Sequence, residues 1–363
     1  MPGITWADGY DPLSRASGTY PGTQTARYSL RTLADRGLVD RGAVNQMLIA
    51  SGLADFHWRV VWADEGATSD ADINTRVSNV DGYVIFIHGW TGTNEIWEDL
   101  PGLIVTRNPH LVALVADHNG FGGTPFTNPM PDFEHCSPIG AMRAIERWLD
   151  VLKLRREPGE RHFRTINFVG HSMGGAALFF LNETRFGLGE QTRTAIAPAL
   201  LLRDEAHRAF YTTLGLGIGL VGRLRALDVI DHALAPTVLE VLTDGATDYV
   251  RDEHGHVYEA TPKSVTARTF AAMGVITEYP QAHSWQSMQV ILGHRDRLVG
   301  LIPMLDLLQE LDFGVDQVRV VMGTHYLFSL GTSMQKWHTQ NRVLVVEDIL
   351  KQHAAALKRQ KTG

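Results

Sequence analysis

Short apolar runs separated by helix-length segments fill the chain from Phe56 onward, and this alternation constrains the fold more than any other feature. The runs are rich in β-branched and aliphatic residues and read FHWRVVWA, YVIFIHG, LVALVAD, INFVG, TAIAPAL, MQVILG and VRVVMG. Apolar runs that do not alternate with polar residues indicate strands buried on both faces. The sequence therefore predicts an α/β fold with a mostly parallel central sheet flanked by helices.

The helical patterns suggest how the chain is divided. The segment between TAIAPAL and MQVILG is far longer than a βα connection of about 2 to 6 residues and shows helical patterns only, so we expect an inserted helical subdomain there. The first residues are turn-rich, with one short helical pattern, and we expect an extension packed on the core. The predicted units are an N-terminal extension (1–55), a first core part (56–198), a helical insert (199–284) and a second core part (285–363).

Charge and composition limit the classes of molecule that the chain is expected to bind. The 363 residues are 44% hydrophobic and 20% charged, with a formal net charge of -7 and both signs interspersed. Such a chain is a poor match for nucleic acid or for an anionic membrane surface. The uncharged stretches 165–182 and 209–222 contain polar residues or fall short of the roughly 20 residues of a bilayer span, so we expect no integral membrane association.

The single cysteine and the start of the chain bear on location. Cys136 has no second cysteine with which to form an internal disulfide. The start, MPGITWADGYDPLS, lacks the basic region followed by an apolar region that marks a secretory signal. We therefore expect a cytoplasmic protein. The sequence leaves open whether the chain forms a homo-oligomer.

A serine between glycines follows one of the apolar runs directly. In NFVGHSMGGAALFF, INFVG indicates a buried strand and GAALFFLNETRF a helix, so Gly170, His171, Ser172, Met173 and Gly174 occupy a strand-to-helix turn. Gly-x-Ser-x-Gly in this context is the pattern of a nucleophile elbow, in which the two glycines permit a tight, strained turn. Ser172 is therefore the candidate nucleophile.

A serine hydroxyl needs a base to accept its proton, and the base needs an orienting acid. Asp296 follows the strand MQVIL, and His325 follows the strand VRVVM. Active sites of open α/β sheets lie at the carboxyl ends of the strands, where both residues fall. Asp204 or Glu205, which follow the preceding strand, remain alternative acids.

An acyl-transfer intermediate also needs donors for its oxyanion. His88, Gly89 and Trp90 end an early strand, a position that supplies one backbone N–H, and Met173 directly after the serine supplies the other. We expect Trp90 and Met173 to act through their amides, and His88 and His171 to pack and hydrogen-bond near the site rather than to act as bases.

Two further patterns suggest cofactors but lack the required context. Gly217, Gly219 and Gly222 match a dinucleotide fingerprint, yet they follow a helical pattern inside the insert and not a strand. His254 and His256 have no third ligand in pattern, so we interpret them as an exposed turn. We therefore predict neither a bound cofactor nor a metal.

These motifs together resemble the α/β-hydrolase superfamily of the serine esterase and lipase type. The resemblance rests on HGW, VADHNGFGG, GHSMGG, GHRD and GTH in the family's order, over about residues 56–350 apart from the insert. It implies a Ser172, Asp296 and His325 triad, and an insert that corresponds to the family's cap or lid. The stretch 117–123 resembles the family's D-x-x-G-x-G loop, which Asp117 would brace.

The resemblance implies acyl transfer to water. The apolar stretch 209–222 of the insert, interpreted as the roof of the substrate pocket, favours a hydrophobic carboxylic ester or lactone. Haloalkane dehalogenases and epoxide hydrolases of this fold carry an aspartate at the elbow, and Ser172 argues against both. Alternatives that use a similar triad are a carbon–carbon bond hydrolase and a cofactor-free haloperoxidase. A hydrolase-fold receptor for a small molecule, with little turnover, is a further alternative from a different class.

Overall fold

The computed structural model describes residues 20–64, 80–154, 164–183, 191–202, 204–221, 239–276, 280, 285–329 and 336–362. Its strands are β1 (Thr23–Ser29), β2 (His57–Ala63), β3 (Gly82–Ile87), β4 (Leu111–Ala116), β5 (Thr165–His171), β6 (Gln191–Ile196), β7 (Met288–Gly293) and β8 (Val318–Val321). They form one 8-stranded sheet in the order β1-β2-β4-β3-β5-β6-β7-β8. β2 runs antiparallel to β1 and β4, and the other neighbouring strands are parallel. The predicted α/β class with a mostly parallel sheet is confirmed.

Helices cover both faces of this sheet. The described helices are α1 (Leu30–Asp35), α2 (Arg41–Ser51), α3 (Leu100–Arg107), α4 (Phe133–Cys136), α5 (Pro138–Val151), α6 (Met173–Ala177), α7 (Glu205–Val221), α8 (Asp248–Ala260), α9 (Lys263–Val275), α10 (Leu301–Glu310) and α11 (Lys336–Thr362). Short 3₁₀ helices span Asn94–Trp97, Leu178–Phe180 and Val315–Gln317. In the described part of the chain, no helix is long and apolar enough to cross a bilayer.

The central strands are apolar along their whole length because both faces are covered. On β3, Ile85 and Ile87 belong to one buried cluster, while Val84 and Phe86 belong to the cluster on the opposite face. Successive side chains of a strand point to opposite faces, so a strand between two helical layers needs apolar residues at every position.

The N-terminal region contains a strand that the sequence did not predict. Residues 1–55 were expected to form an extension packed on the core, and within them residues 23–29 form β1, the edge strand that pairs along β2. The sequence TQTARYS carries no apolar run, because β1 has a strand on one side only and its first residues are partly exposed. A search for apolar runs therefore misses it. Residues 1–19 lie outside the described part of the chain.

The segment between β6 and β7 contains helices and no strand among its described residues, namely α7, α8 and α9. α7 and α9 are in close contact, since a Cβ atom at Gly215 would lie 2.6 Å from the Cβ atom of Ala271. Gly217 and Gly219 lie within α7 and Gly222 outside the described residues. The boundaries 199–284 and the role of this segment as a cap stay predictions.

Candidate active site

Ser172 lies on a strained turn between β5 and α6. Its φ is 54°, a left-handed value that is uncommon for a residue with a side chain. The backbone of the turn is held on both sides: the Ser172 amide donates to the carbonyl of Ile196 at 3.0 Å, and the Ser172 carbonyl accepts from Ala199 at 2.9 Å. The local sequence therefore produces the elbow that the Gly-x-Ser-x-Gly pattern predicted.

The glycines around the serine are required by close backbone contacts. A Cβ atom at Gly170 would lie 2.3 Å from the carbonyl oxygen of Gly174, and a Cβ atom at Gly174 would lie 2.2 Å from that of Ile87. At Gly89 a Cβ atom would lie 2.9 Å from the Cβ atom of Ser172. The loop after β3 thus lies directly against the serine, which only glycine at position 89 allows.

Asp296 and His325 form a buried pair at the ends of β7 and β8. The distance from His325 Nδ1 to Asp296 Oδ2 is 2.9 Å. The other oxygen of Asp296 accepts from the amides of Leu298 at 2.9 Å and Val299 at 3.2 Å. The carboxylate is held by backbone donors on one side and orients the imidazole with the other.

The hydrogen bond to Asp296 determines the tautomer of His325. A carboxylate only accepts, so Nδ1 carries the proton and Nε2 of the neutral ring carries a lone pair. Nε2 is buried and makes no hydrogen bond to any described residue, Ser172 included. Catalytic hydrogen bonds are often long before substrate binds, so this geometry does not argue against proton transfer from serine.

The alternative acids lie elsewhere. Asp204 caps the start of α7, where its Oδ1 accepts from the amides of Ala206 and His207 at 3.0 Å, and its other oxygen pairs with the His207 ring. Glu205 is exposed. Of the acids considered from the sequence, the structure brings only Asp296 to His325.

The two expected oxyanion amides flank the serine. Met173 begins α6, and the first amides of a helix have no partner within it. Trp90 follows Gly89 in the loop against Ser172. Within the described chain, neither amide donates a hydrogen bond. The Trp90 side chain is fixed separately, since its indole N–H lies 3.0 Å from the Thr266 carbonyl and 3.1 Å from the Thr269 hydroxyl on α9.

Buried histidines near the site serve as neutral hydrogen-bonding groups. The His171 ring donates from Nε2 to the carbonyl of His325 at 3.1 Å, which ties the elbow to the loop that carries His325. His88 donates to the Gly89 carbonyl at 2.7 Å and accepts from the His118 amide at 3.1 Å. Burial lowers the pKa of His88 to about 3 and the pKa of His171 and of His118 well below 6.5. These rings match the packing and hydrogen-bonding role expected for His88 and His171.

Asp117 braces the loop after β4, as expected. One of its oxygens accepts from the Asn94 amide at 2.6 Å, and the other accepts from the Gly123 amide at 2.9 Å. The same loop carries His118, for which the sequence offered no role, and Asn119, whose amide contacts the Met173 sulfur at 3.1 Å. Their contacts join distant parts of the chain, so no local pattern indicated them.

The interpretation of His254 and His256 as an exposed turn is wrong. Both residues lie on α8, where His256 is exposed and His254 is fully buried. Each ring nitrogen of His254 contacts a hydroxyl group, Thr91 on one side and Tyr326 on the other. A buried helical histidine and an exposed turn cannot be told apart from a His-Gly-His pattern, because glycine occurs in both. Elsewhere in the described chain, no three histidine, cysteine or acidic residues converge as metal ligands.

Comparison with solved structures finds similar folds at low sequence identity. An enol-lactonase from Burkholderia xenovorans is 16% identical with a TM-score of 0.54, over 83% of this chain and 97% of that chain. A bromoperoxidase from Bacillus anthracis is 14% identical with a TM-score of 0.52, over 82% and 96%. An esterase from Exiguobacterium antarcticum is 11% identical with a TM-score of 0.51, over 75% and 93%. No protein-family model and no curated protein matches the sequence.

Structural similarity at such low identity establishes the fold. The reaction depends on the residues of the site. The chain therefore has the fold of the α/β-hydrolases, as its sequence resemblance predicted.

Proposed function

We propose that this protein is a serine hydrolase that cleaves a hydrophobic carboxylic ester or lactone through an acyl-enzyme intermediate. The observation that carries the proposal is the buried His325 and Asp296 pair, 2.9 Å apart, whose loop is hydrogen-bonded to His171, the residue before the serine of a strained elbow. A histidine that is oriented by a fixed acid and has a free lone pair on its other ring nitrogen is the base that activates a serine hydroxyl.

In the proposed mechanism Ser172 Oγ attacks the carbonyl carbon while Nε2 of His325 takes the hydroxyl proton. Asp296 stabilises the imidazolium that forms, and the amides of Trp90 and Met173 donate to the oxyanion. His325 then returns the proton to the leaving alkoxide, so the alcohol departs and Ser172 carries the acyl group. A water molecule, deprotonated by the same nitrogen, attacks the acyl carbon and releases the acid.

The surroundings of the site support an apolar substrate. Trp90 lies against Phe270, with ring centroids 4.7 Å apart, and Phe270 stacks on Tyr211 at 4.5 Å. The Tyr211 hydroxyl donates to the Leu298 carbonyl at 3.2 Å, close to Asp296 in sequence. Phe270 and Tyr211 of the insert thus connect the Trp90 ring with the loop that follows Asp296, and apolar surroundings of this kind favour a hydrophobic substrate.

The test is hydrolysis of p-nitrophenyl esters from acetate to palmitate by the wild type and two variants. Ser172→Ala should lower kcat by about 10⁴-fold or more, because no nucleophile remains. Asp204→Asn is the matched control, since it alters an acid that follows a strand but lies apart from His325, and it should retain wild-type kcat. The acyl chain length of the ester that is hydrolysed best indicates the size of the acyl-binding pocket.

Three outcomes contradict the proposal in different ways. Ester hydrolysis that survives Ser172→Ala excludes the mechanism. A burst of one equivalent followed by a stall favours a hydrolase-fold receptor. A wild type that is inactive on every ester, yet is labelled at Ser172 by a fluorophosphonate, favours carbon–carbon bond cleavage or haloperoxidase chemistry over ester hydrolysis.

A further inference from the structure

His254 connects two loops that carry the proposed reacting groups. It lies on α8 in the insert between β6 and β7 and is fully buried. Its Nδ1 lies 2.9 Å from the Thr91 hydroxyl, and its Nε2 contacts the Tyr326 hydroxyl. Thr91 directly follows Trp90 in the oxyanion loop (residues 88–93), and Tyr326 directly follows His325 in the His325 loop (residues 322–329).

Only one arrangement of protons satisfies these contacts. The Thr91 hydroxyl donates to the Trp90 carbonyl at 2.8 Å, so its oxygen must accept from Nδ1 of His254. Burial lowers the pKa of His254 to about 3, so the ring is neutral near pH 7 and Nε2 accepts. Burial also raises the pKa of Tyr326 well above 10.0, so its phenol keeps the proton that it donates to Nε2.

Each end of this chain of hydrogen bonds holds a constrained backbone. Thr91 has a φ of 52°, a strained value for a β-branched residue, and strain of this kind persists only where surrounding contacts hold it. On the other side, the Tyr326 ring packs on the His171 ring at 4.5 Å, and His171 packs on His325 at 4.7 Å. Movement at either hydroxyl would therefore shift a residue next to the reacting atoms.

The helix that carries His254 is itself anchored to the oxyanion loop and the 3₁₀ helix after it. The Thr93 hydroxyl donates to Glu253 at 2.8 Å, and the Tyr249 hydroxyl donates to Glu95 at 3.2 Å. α8 is thus a rigid support, and His254 is the residue on it that reaches both loops.

We propose that His254 is a positioning residue that fixes the oxyanion loop relative to the His325 loop, acting through Thr91 and Tyr326. The inference rests on the proposed ester hydrolysis. Its consequence is specific to the transition state, because the oxyanion amide and the base must act on the same carbonyl at once. Loss of the link should lower kcat and leave KM nearly unchanged, since ground-state binding does not require this alignment.

The experiment removes one hydroxyl at a time and leaves His254 in place. Tyr326→Phe keeps the ring that packs on His171, and Thr91→Val keeps the β-branched shape. Tyr83→Phe is the matched control, because Tyr83 is a buried phenol on β3 whose hydroxyl contacts Arg164 and no residue of the site. Each protein is assayed for kcat and KM on the preferred p-nitrophenyl ester and for thermal stability.

A trifluoromethyl ketone provides a second readout that a purely structural role would not change. Ser172 Oγ adds to the ketone carbonyl, its proton passes to His325, and the oxyanion that remains needs the amides of Trp90 and Met173. We expect Tyr326→Phe and Thr91→Val each to lower kcat by about 10-fold, with KM within about twofold and a parallel loss of inhibitor affinity. Tyr83→Phe should change neither kcat nor inhibitor affinity, even if it lowers the Tm as much as the two hydroxyl variants do.

The outcomes separate this inference from the function on which it rests. An active wild type whose kcat and inhibitor affinity are unchanged in both hydroxyl variants would overturn the role of His254 alone. A wild type that neither hydrolyses esters nor reacts with a fluorophosphonate would overturn the proposed function and this inference with it. If both variants fall to the same kcat as the Tyr326→Phe/Thr91→Val double variant, the two hydroxyls act as one unit, as the chain of hydrogen bonds requires.

Discussion

The elbow that carries Ser172 and the insert that supports the site are built in opposite ways. The elbow consists of consecutive residues. Backbone atoms limit which substitutions it accepts, since a Cβ atom at Gly170 or Gly174 would lie within 2.3 Å of a carbonyl oxygen. The insert contacts the site through side chains far apart in sequence, such as Thr91 with His254 and Trp90 with Thr269. The elbow is therefore fixed by steric exclusion, and the insert by hydrogen bonds that substitution can remove one at a time.

The largest expected effect concerns the acid at the carboxyl end of β7. Asp296→Asn keeps the shape of the side chain but lets an amide face Nδ1 of His325, which favours the wrong tautomer and removes the charge that stabilises the imidazolium. We expect kcat on the preferred ester to fall about 10³- to 10⁴-fold with the fold intact. The circular dichroism spectrum and Tm check the fold. A loss below tenfold would mean that Asp296 does not orient the base.

Because side chains are sterically excluded at the elbow glycines, substitution of one of them should cause a large loss of stability. Gly174→Ala would place a Cβ atom 2.2 Å from the Ile87 carbonyl oxygen and 2.5 Å from that of His88, both backbone atoms that cannot rotate away. The free energy of unfolding should fall by about 3 kcal/mol or more in urea titrations.

The insert offers a matched glycine with the opposite expectation. A Cβ atom at Gly255 on α8 would meet nothing within 4 Å. Gly255→Ala should therefore raise the free energy of unfolding by about 0.5 to 1 kcal/mol through helix propensity. Similar effects at the two glycines would contradict the difference between elbow and insert.

Low pH should destabilise both the elbow and the insert, because each contains a buried neutral histidine. Burial lowers the pKa of His171 at the elbow well below 6.5 and that of His254 on the insert to about 3. Each contributes stability that is complete above the pKa of an unfolded histidine and is lost as the pH falls below it, because only the unfolded chain then takes up the proton.

Urea titrations between about pH 7 and 5 measure this dependence. The free energy of unfolding should fall toward the acid end by about 1.4 kcal/mol per pH unit for each such histidine. His254→Gln should reduce the slope, while substitution of the exposed His256 by Gln should leave it as in the wild type. A wild-type slope unaffected by His254→Gln would show that this ring is not held neutral.

An effect of a size similar to that of Gly255→Ala concerns the strained serine. Glycine adopts the φ of 54° found at position 172 without a steric penalty, whereas alanine shares the strain of serine. Ser172→Gly should therefore be more stable than Ser172→Ala by about 1 kcal/mol, even after the greater entropy of glycine in the unfolded chain is included. Equal stability of the two inactive variants would show that the elbow stores no strain.

The prediction from sequence succeeded where chemistry and local geometry coincide. Gly-x-Ser-x-Gly after a buried strand specifies a turn of one shape, and Ser172 lies on that turn with a φ of 54°. The prediction failed at β1 and at His254. A polar edge strand can be identified only once the strand that it pairs with is known. A buried histidine can be identified only once the groups around it are known.

The sequence by itself determined the class of fold, the elbow and the residues at the ends of the strands, because these depend on periodicity and on conformations that few residues adopt. Only the tertiary structure decided that Asp296 and not Asp204 faces His325, that residues 23–29 complete the sheet, and that a helix of the insert reaches both loops of the site. Those results depend on contacts between residues remote in the chain, whose distances are set by the packing of the whole molecule and not by any local pattern.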